Sequence, residues 1–152
     1  MERRIFLKQS VSVVIATVIS FLGSKTGQAA WLAKHFASGQ FNESMVQLFD
    51  NQTITESSQI NLGLPKIAEN GAVVPITISS ELENIERIYI LVEKNPTPLA
   101  AEFELSAEVS VYITTRIKMA ESCNVVVIAK LGSQLLKSQQ WVNVVQGGCG
   151  TG

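Results

Sequence analysis

The chain has 152 residues, 46% of them hydrophobic and 16% charged, with a net charge of −1; this suits one folded domain and excludes a disordered segment or a membrane bundle. Two cysteines and one histidine are too few for a disulfide scaffold, or for a closed tetrahedral zinc site without distant carboxylates, and no structural metal is expected. Lysine and arginine form no cluster of the kind that nucleic acid or anionic lipid requires.

The first predicted element is a leader. Arg3-Arg4-Ile5-Phe6-Leu7-Lys8 precedes an apolar stretch of 12 residues from Val11 to Leu22, too short for a bilayer that needs about 20 helical residues. A charged start, a short apolar run and the small residues of Gly27-Gln28-Ala29 predict a signal peptide cleaved after Ala29, with Ala30 as the adjacent site. "RRIFLK" resembles the twin-arginine export signal, which places the mature protein in the periplasm, with no membrane attachment after cleavage. Losing residues 1–29 removes Arg3, Arg4, Lys8, Lys25 and Glu2, leaving 8 basic and 12 acidic residues and a net charge of −4.

Residues 30–58 read as a helical lead-in and loop. Trp31, Leu32, His35, Phe36, Met45, Leu48 and Phe49 recur at helical spacings, interrupted at Ser38-Gly39-Gln40, and the polar stretch from Asn51 to Ser58 reads as a connection. From 59 to 146 the pattern changes to short runs of valine, isoleucine and threonine separated by turn residues, the signature of an all-β sandwich. Seven strands are expected, at Ile60–Leu64, Val73–Ser79, Arg87–Val92, Ala101–Leu105, Val109–Met119, Asn124–Lys130 and Gln134–Val145. Glu69-Asn70-Gly71 predicts a turn at positive φ, Asn95-Pro96-Thr97-Pro98 a break in the ladder, and Lys130-Leu131-Gly132-Ser133-Gln134 a hairpin. Val125-Val126-Val127-Ile128 has no polar alternate and predicts a strand covered on both faces.

Enzyme motifs are absent: the sequence contains no GxSxG, GxxxxGK[ST] or HExxH. His35 reads as a surface or interface residue rather than a catalytic one. Glu81, Glu83, Glu86, Glu102 and Glu104 read as a solvated face rather than as general acids and bases, and Arg116 with Lys118 as a solvated basic edge. Trp141 is expected in the core or an interface, and Met119 as a core gap-filler.

The end of the chain carries the chemical signal. Residues 147–152 read Gly147-Gly148-Cys149-Gly150-Thr151-Gly152, a sequence without side chains to bury a sulfur and one expected to form a mobile arm. No cation sits near Cys149 in sequence to lower its pKa, so the arm does not activate its own thiol. An accessible, movable and unactivated thiol is a handle whose chemistry other proteins complete.

Four segments, "ENGAVVPITI" (Glu69–Ile78), "VEKNPTPLAAEF" (Val92–Phe103), "TTRIKMAES" (Thr114–Ser122) and the tail "GGCG", resemble SoxY, the sulfur-carrying subunit of the periplasmic thiosulfate-oxidising Sox system. The resemblance implies an immunoglobulin-like sandwich paired with a SoxZ-like β-protein, and a sulfur load held on Cys149, beginning as a cysteine S-thiosulfonate. It also implies that the SoxAX cytochrome loads the carrier and that the SoxB hydrolase releases sulfate, with a sulfane dehydrogenase as a further partner. No resident cofactor is implied. Two departures stand out: Thr151 lengthens a tail that is usually Gly-Gly-Cys-Gly-Gly, and Cys123 replaces what is more often a small polar residue. Cys123 is expected to be a partly buried thiol; were it exposed, it could trap Cys149 in a disulfide. A binding or assembly module without covalent chemistry, and a thiol-disulfide relay, are the alternative readings.

Overall fold

The computed structural model describes residues 35–106 and 108–145. The expected leader at 1–29, the first residues of the lead-in and the arm at 147–152 lie outside the described residues. Every described residue belongs to the unit that begins at His35.

The element order is α1 (Phe41–Phe49), β1 (Ile54–Glu56), β2 (Ile60–Gly63), β3 (Ile67–Ala68), β4 (Val74–Ser80), β5 (Arg87–Val92), β6 (Leu99–Glu104), β7 (Val111–Ile117), β8 (Cys123–Leu131) and β9 (Gln134–Val144). Two sheets face each other. The larger runs β1-β9-β8-β5-β6 with β3 also on β9, and the smaller runs β2-β4-β7. All seven expected strands are present, with ends that agree to within two residues.

The structure corrects two details. Asn51–Ser58 is not simply a loop, because Ile54–Glu56 forms β1 along β9, and Ile67–Ala68 forms β3 farther along the same edge; both pairings are parallel within an otherwise antiparallel framework. These strands hold three and two residues, too few to display a period, and their partner lies some 75 or more positions away in sequence. Hydrogen-bonding capacity on an open edge strand selects such additions. Lys137 and Glu56 add an ion pair of 2.8 Å across the first of them.

Alternation along β5, β8 and β9 divides apolar side chains between two cores. Ile88, Ile90, Val92, Val125, Val127 and Val142 point inward against Val74, Ile76, Ile78, Val111 and Ile117 of the smaller sheet. Tyr89, Leu91, Val126, Ile128 and Leu135 point outward and are covered by α1 through Phe49, with Phe41, Met45 and Leu48 beside it. The run Val125–Ile128 is thus buried on both faces, as its unbroken apolarity predicts.

Local chemistry explains the ends of α1. The Glu43 carboxylate accepts the Gln40 N–H at 3.3 Å, while Asp50 closes the helix in the left-handed region at φ 47° with its N–H on the Val46 carbonyl at 2.8 Å, an αL stop. Between β8 and β9, Gly132 supplies the positive φ of 54° that a tight hairpin with glycine first requires. No helix among the described residues is long and apolar enough to cross a membrane.

Candidate functional site

β9 delivers the chain toward Cys149, which follows Val145, the last described residue, by four positions. The root of that segment is held from two sides. On one edge Asn143 N–H donates to the Lys66 carbonyl and Val145 N–H to the Ala68 carbonyl, each at 3.0 Å. On the other, Val144 N–H donates to Ser122 Oγ at 2.8 Å. Each bond satisfies a backbone group at a strand end that would otherwise fray.

Three loops gather around this root. Met119 N–H donates to the Gly71 carbonyl at 2.7 Å, joining the β3–β4 turn to the β7–β8 loop. Asn95 ties the β5–β6 loop to the same place: its Nδ2 donates to the Lys118 carbonyl at 2.7 Å and its Oδ1 accepts the Ala120 N–H at 2.9 Å. Lys94 and Glu121 add an exposed ion pair of 3.6 Å, and Gly39 N–H reaches the Pro96 carbonyl at 3.1 Å. A groove of about 430 Å³ lies between Gly39–Asn42 and Glu93–Pro96.

The turn at Gly71 works differently from its sequence expectation. Gly71 is not at positive φ. Asn70 Oδ1 accepts the Ala72 N–H at 2.9 Å, an Asx turn that any residue could follow. Glycine is required because a Cβ would lie 2.5 Å from the Met119 carbonyl oxygen and 2.8 Å from a Val144 methyl. Close approach is what this position demands.

The sequence-derived site residues divide between the described fold and the stretch beyond it. Cys149, Gly147, Gly148, Gly150, Thr151 and Gly152 lie outside the described residues. Cys123 starts β8 opposite Val142 and is completely buried, not partly so, as a free thiol in the inner core. Desolvation pushes its pKa up, which keeps the thiol protonated and unreactive. The exposure needed for trapping Cys149 is absent. Among the described residues no group of three or more histidine, cysteine or acidic side chains could hold a metal.

Glu102 is a correction to the expected solvated acidic face. Its side chain is 6% exposed and receives Arg87 Nη1 at 2.6 Å, with His35 Nδ1 at 3.0 Å. Its partners lie on a neighbouring strand and on the segment before α1, so its spacing of two from the exposed Glu104 concealed the difference. Glu81, Glu83 and Glu86 are exposed as expected. Arg116 and Lys118 are also exposed, although Lys118 falls just beyond β7. Met119 is buried. Trp141 is not a core residue: it is half exposed on the outward face of β9, with its indole N–H on Asn143 Oδ1 at 3.0 Å.

Sequence reasoning placed Gly71 and Asn95 only in turns and gave Ser122 no role, so the contacts these residues make with the root were missed, yet each lies in one of the quoted segments. The structure brings three segments, distant in sequence, together around the root of the fourth. The family of sulfur oxidation protein SoxY matches residues 45–149, more than half of the sequence. The chain belongs to the SoxY family. Its structure is similar to that of the sulfur carrier protein SoxY from Chlorobium limicola f thiosulfatophilum, at 29% identity and a TM-score of 0.63, covering 70% of this chain and 96% of that one. A superoxide reductase (neelaredoxin) from Ignicoccus hospitalis is similar at 13% identity and a TM-score of 0.50, covering 57% of this chain and 80% of that one; this likeness concerns the fold alone. No curated protein matches the sequence. As a SoxY family member the chain is a sulfur carrier protein of sulfur oxidation, a class that is generally non-catalytic.

The buried ionisable groups make stability pH-dependent. Desolvation raises the pKa of Cys123, and desolvation with the nearby Glu102 charge raises that of Tyr89. The unfolded chain therefore releases these protons first. Stability is retained in full below the ordinary thiol pKa of about 8.5 and falls as pH climbs through the thiol and then the tyrosine range, by at most about 1.4 kcal/mol per pH unit for each group. Denaturant midpoints measured between about pH 7.5 and 9.5 check this, and Cys123→Ala should flatten the first part of the decline.

Proposed function

We propose that this SoxY family protein carries its sulfur on Cys149 and presents it to the enzymes of a periplasmic thiosulfate-oxidising Sox system. The observation that carries the reading is the braced root of β9, four residues before Cys149 and within a family match that runs to residue 149. A fixed root with a glycine-rich extension suits a thiol that enters other proteins' active sites. Non-covalent assembly does not require that combination.

In this reading the Cys149 thiolate and thiosulfate lose one electron each as an S–S bond forms, and the two electrons pass to a SoxAX-type cytochrome. Water then attacks the terminal sulfonate sulfur in a SoxB-type hydrolase; sulfate and two protons leave, and a persulfide remains on Cys149. A sulfane dehydrogenase is a further candidate for oxidising that remaining sulfur. A SoxZ-like β-protein is the proposed stable partner. The twin-arginine leader at 1–29 is the proposed route to the periplasm.

Mature protein incubated with thiosulfate and the loading cytochrome should gain the mass of one S-linked thiosulfate, removable by dithiothreitol because the new bond is a disulfide-type S–S link. A protein that keeps its original mass under these conditions would overturn the proposal.

A further inference from the structure

We propose that Ile67, Trp141 and Val145 form a docking collar for the mouth of the enzyme active sites that process the sulfur load. The inference rests on the carrier reading above and adds a recognition surface to it. Trp141 and Asn143 alternate onto the outward face of β9, Val145 follows the strand's end with its N–H on the Ala68 carbonyl, and Ile67 on the adjoining β3 is paired with Asn143. Ile67 is 59%, Trp141 50% and Val145 51% exposed. Farther back along the same face of β9, Leu135 is buried beneath α1.

The occupant follows from the length of chain beyond the structure. Four residues separate Val145 from Cys149, and four residues span at most about 14 Å. An enzyme that receives the sulfur inside a cleft must therefore bring its rim against the surface around Val145. The encounter must also be brief, because the carrier has to leave, and brief encounters use small interfaces. A few apolar anchors, tryptophan foremost among them, dominate the energy of such contacts.

Trp141 is prepared for that role. Its indole N–H is already bonded to Asn143 Oδ1, so covering the ring strands no donor and its orientation is set beforehand. A stably bound β-protein is the competing occupant, and the test separates the two.

The experiment uses the full mature protein with its SoxZ-like partner, loaded chemically with tetrathionate. The Cys149 thiolate displaces one thiosulfate from the central S–S bond and retains the other, so loading needs no enzyme. Sulfate release by the SoxB-type hydrolase is then followed for wild type, for the double variant Ile67→Ser with Trp141→Ser, and for Tyr112→Ser. Tyr112 is 73% exposed on the smaller sheet and serves as the control.

The double variant should load normally and keep its partner, but lose about tenfold in kcat/KM with kcat within about twofold of wild type, as expected when docking anchors are truncated. Tyr112→Ser should match wild type. Equal kcat/KM for the double variant and wild type overturns the collar alone, as does loss of the SoxZ-like partner, which would make this surface the stable interface. A wild type that loads with tetrathionate and is never unloaded overturns the carrier reading and the collar together.

Discussion

Gly71→Val should destabilise the fold by about 1–3 kcal/mol or more, since overpacking a site that cannot relax costs that much. The new side chain would begin 2.5 Å from the Met119 carbonyl oxygen and 2.8 Å from the Val144 side chain. The first of these is backbone, fixed by its place between two pinned loops, and cannot rotate away. The turn must retreat, stretching the Met119 N–H bond to the Gly71 carbonyl and moving the side of β9 that Ser122 holds. Thermal unfolding measures the cost. Amide exchange should show the disturbance concentrated at Met119, Val144 and Val145 while Val127 and Ile90 keep the protection of the global core.

Cys149→Ser has the largest expected effect on function. A serine oxygen cannot form the S–S bond on which loading depends, so the adduct should disappear entirely. The unfolding midpoint should remain that of wild type, because the change replaces one atom at a glycine-flanked position beyond the end of β9. Cys123→Ser should give the reverse pattern: loading persists, and stability falls by about 1–3 kcal/mol because a hydroxyl replaces a fully buried thiol in an apolar core. An assembly module would be indifferent to the first change, and a relay between the two cysteines would be silenced by either. The opposite responses separate the three readings.

The strands were legible because their signals are local. Alternation in Val111–Ile117 and the unbroken apolarity of Val125–Ile128 state which faces are covered, and Gly132 marks its hairpin through its own dihedral. β1 and β3 were not legible, because backbone groups on β9 select them and any short extended segment can answer. Glu102 shows the same limit at the level of side chains. Its burial depends on Arg87 and His35, which no spacing rule places beside it.

At the candidate site, the glycine-flanked Cys149 was legible as a composition. The brace before it was not. Ser122 and Asn95 act through bonds to backbone groups that are 22 or more residues away in sequence. Gly71 occupies a turn that reads correctly from Asn70-Gly71, yet the reason for glycine is contact with β9 and the β7–β8 loop. Trp141 could be read as apolar, but its outward direction depends on which face of β9 α1 leaves open.

The two cysteines fall on different tryptic peptides, Met119–Lys130 and Ser138–Gly152, so the location of the load can be read directly. After incubation with thiosulfate and the loading cytochrome, the peptide ending at Gly152 should carry one S-linked thiosulfate, and the peptide containing Cys123 should be unchanged. Thiosulfate mass on Met119–Lys130, or a Ser138–Gly152 peptide that remains unmodified while the protein as a whole is loaded, would contradict the assignment of the carrier thiol to Cys149.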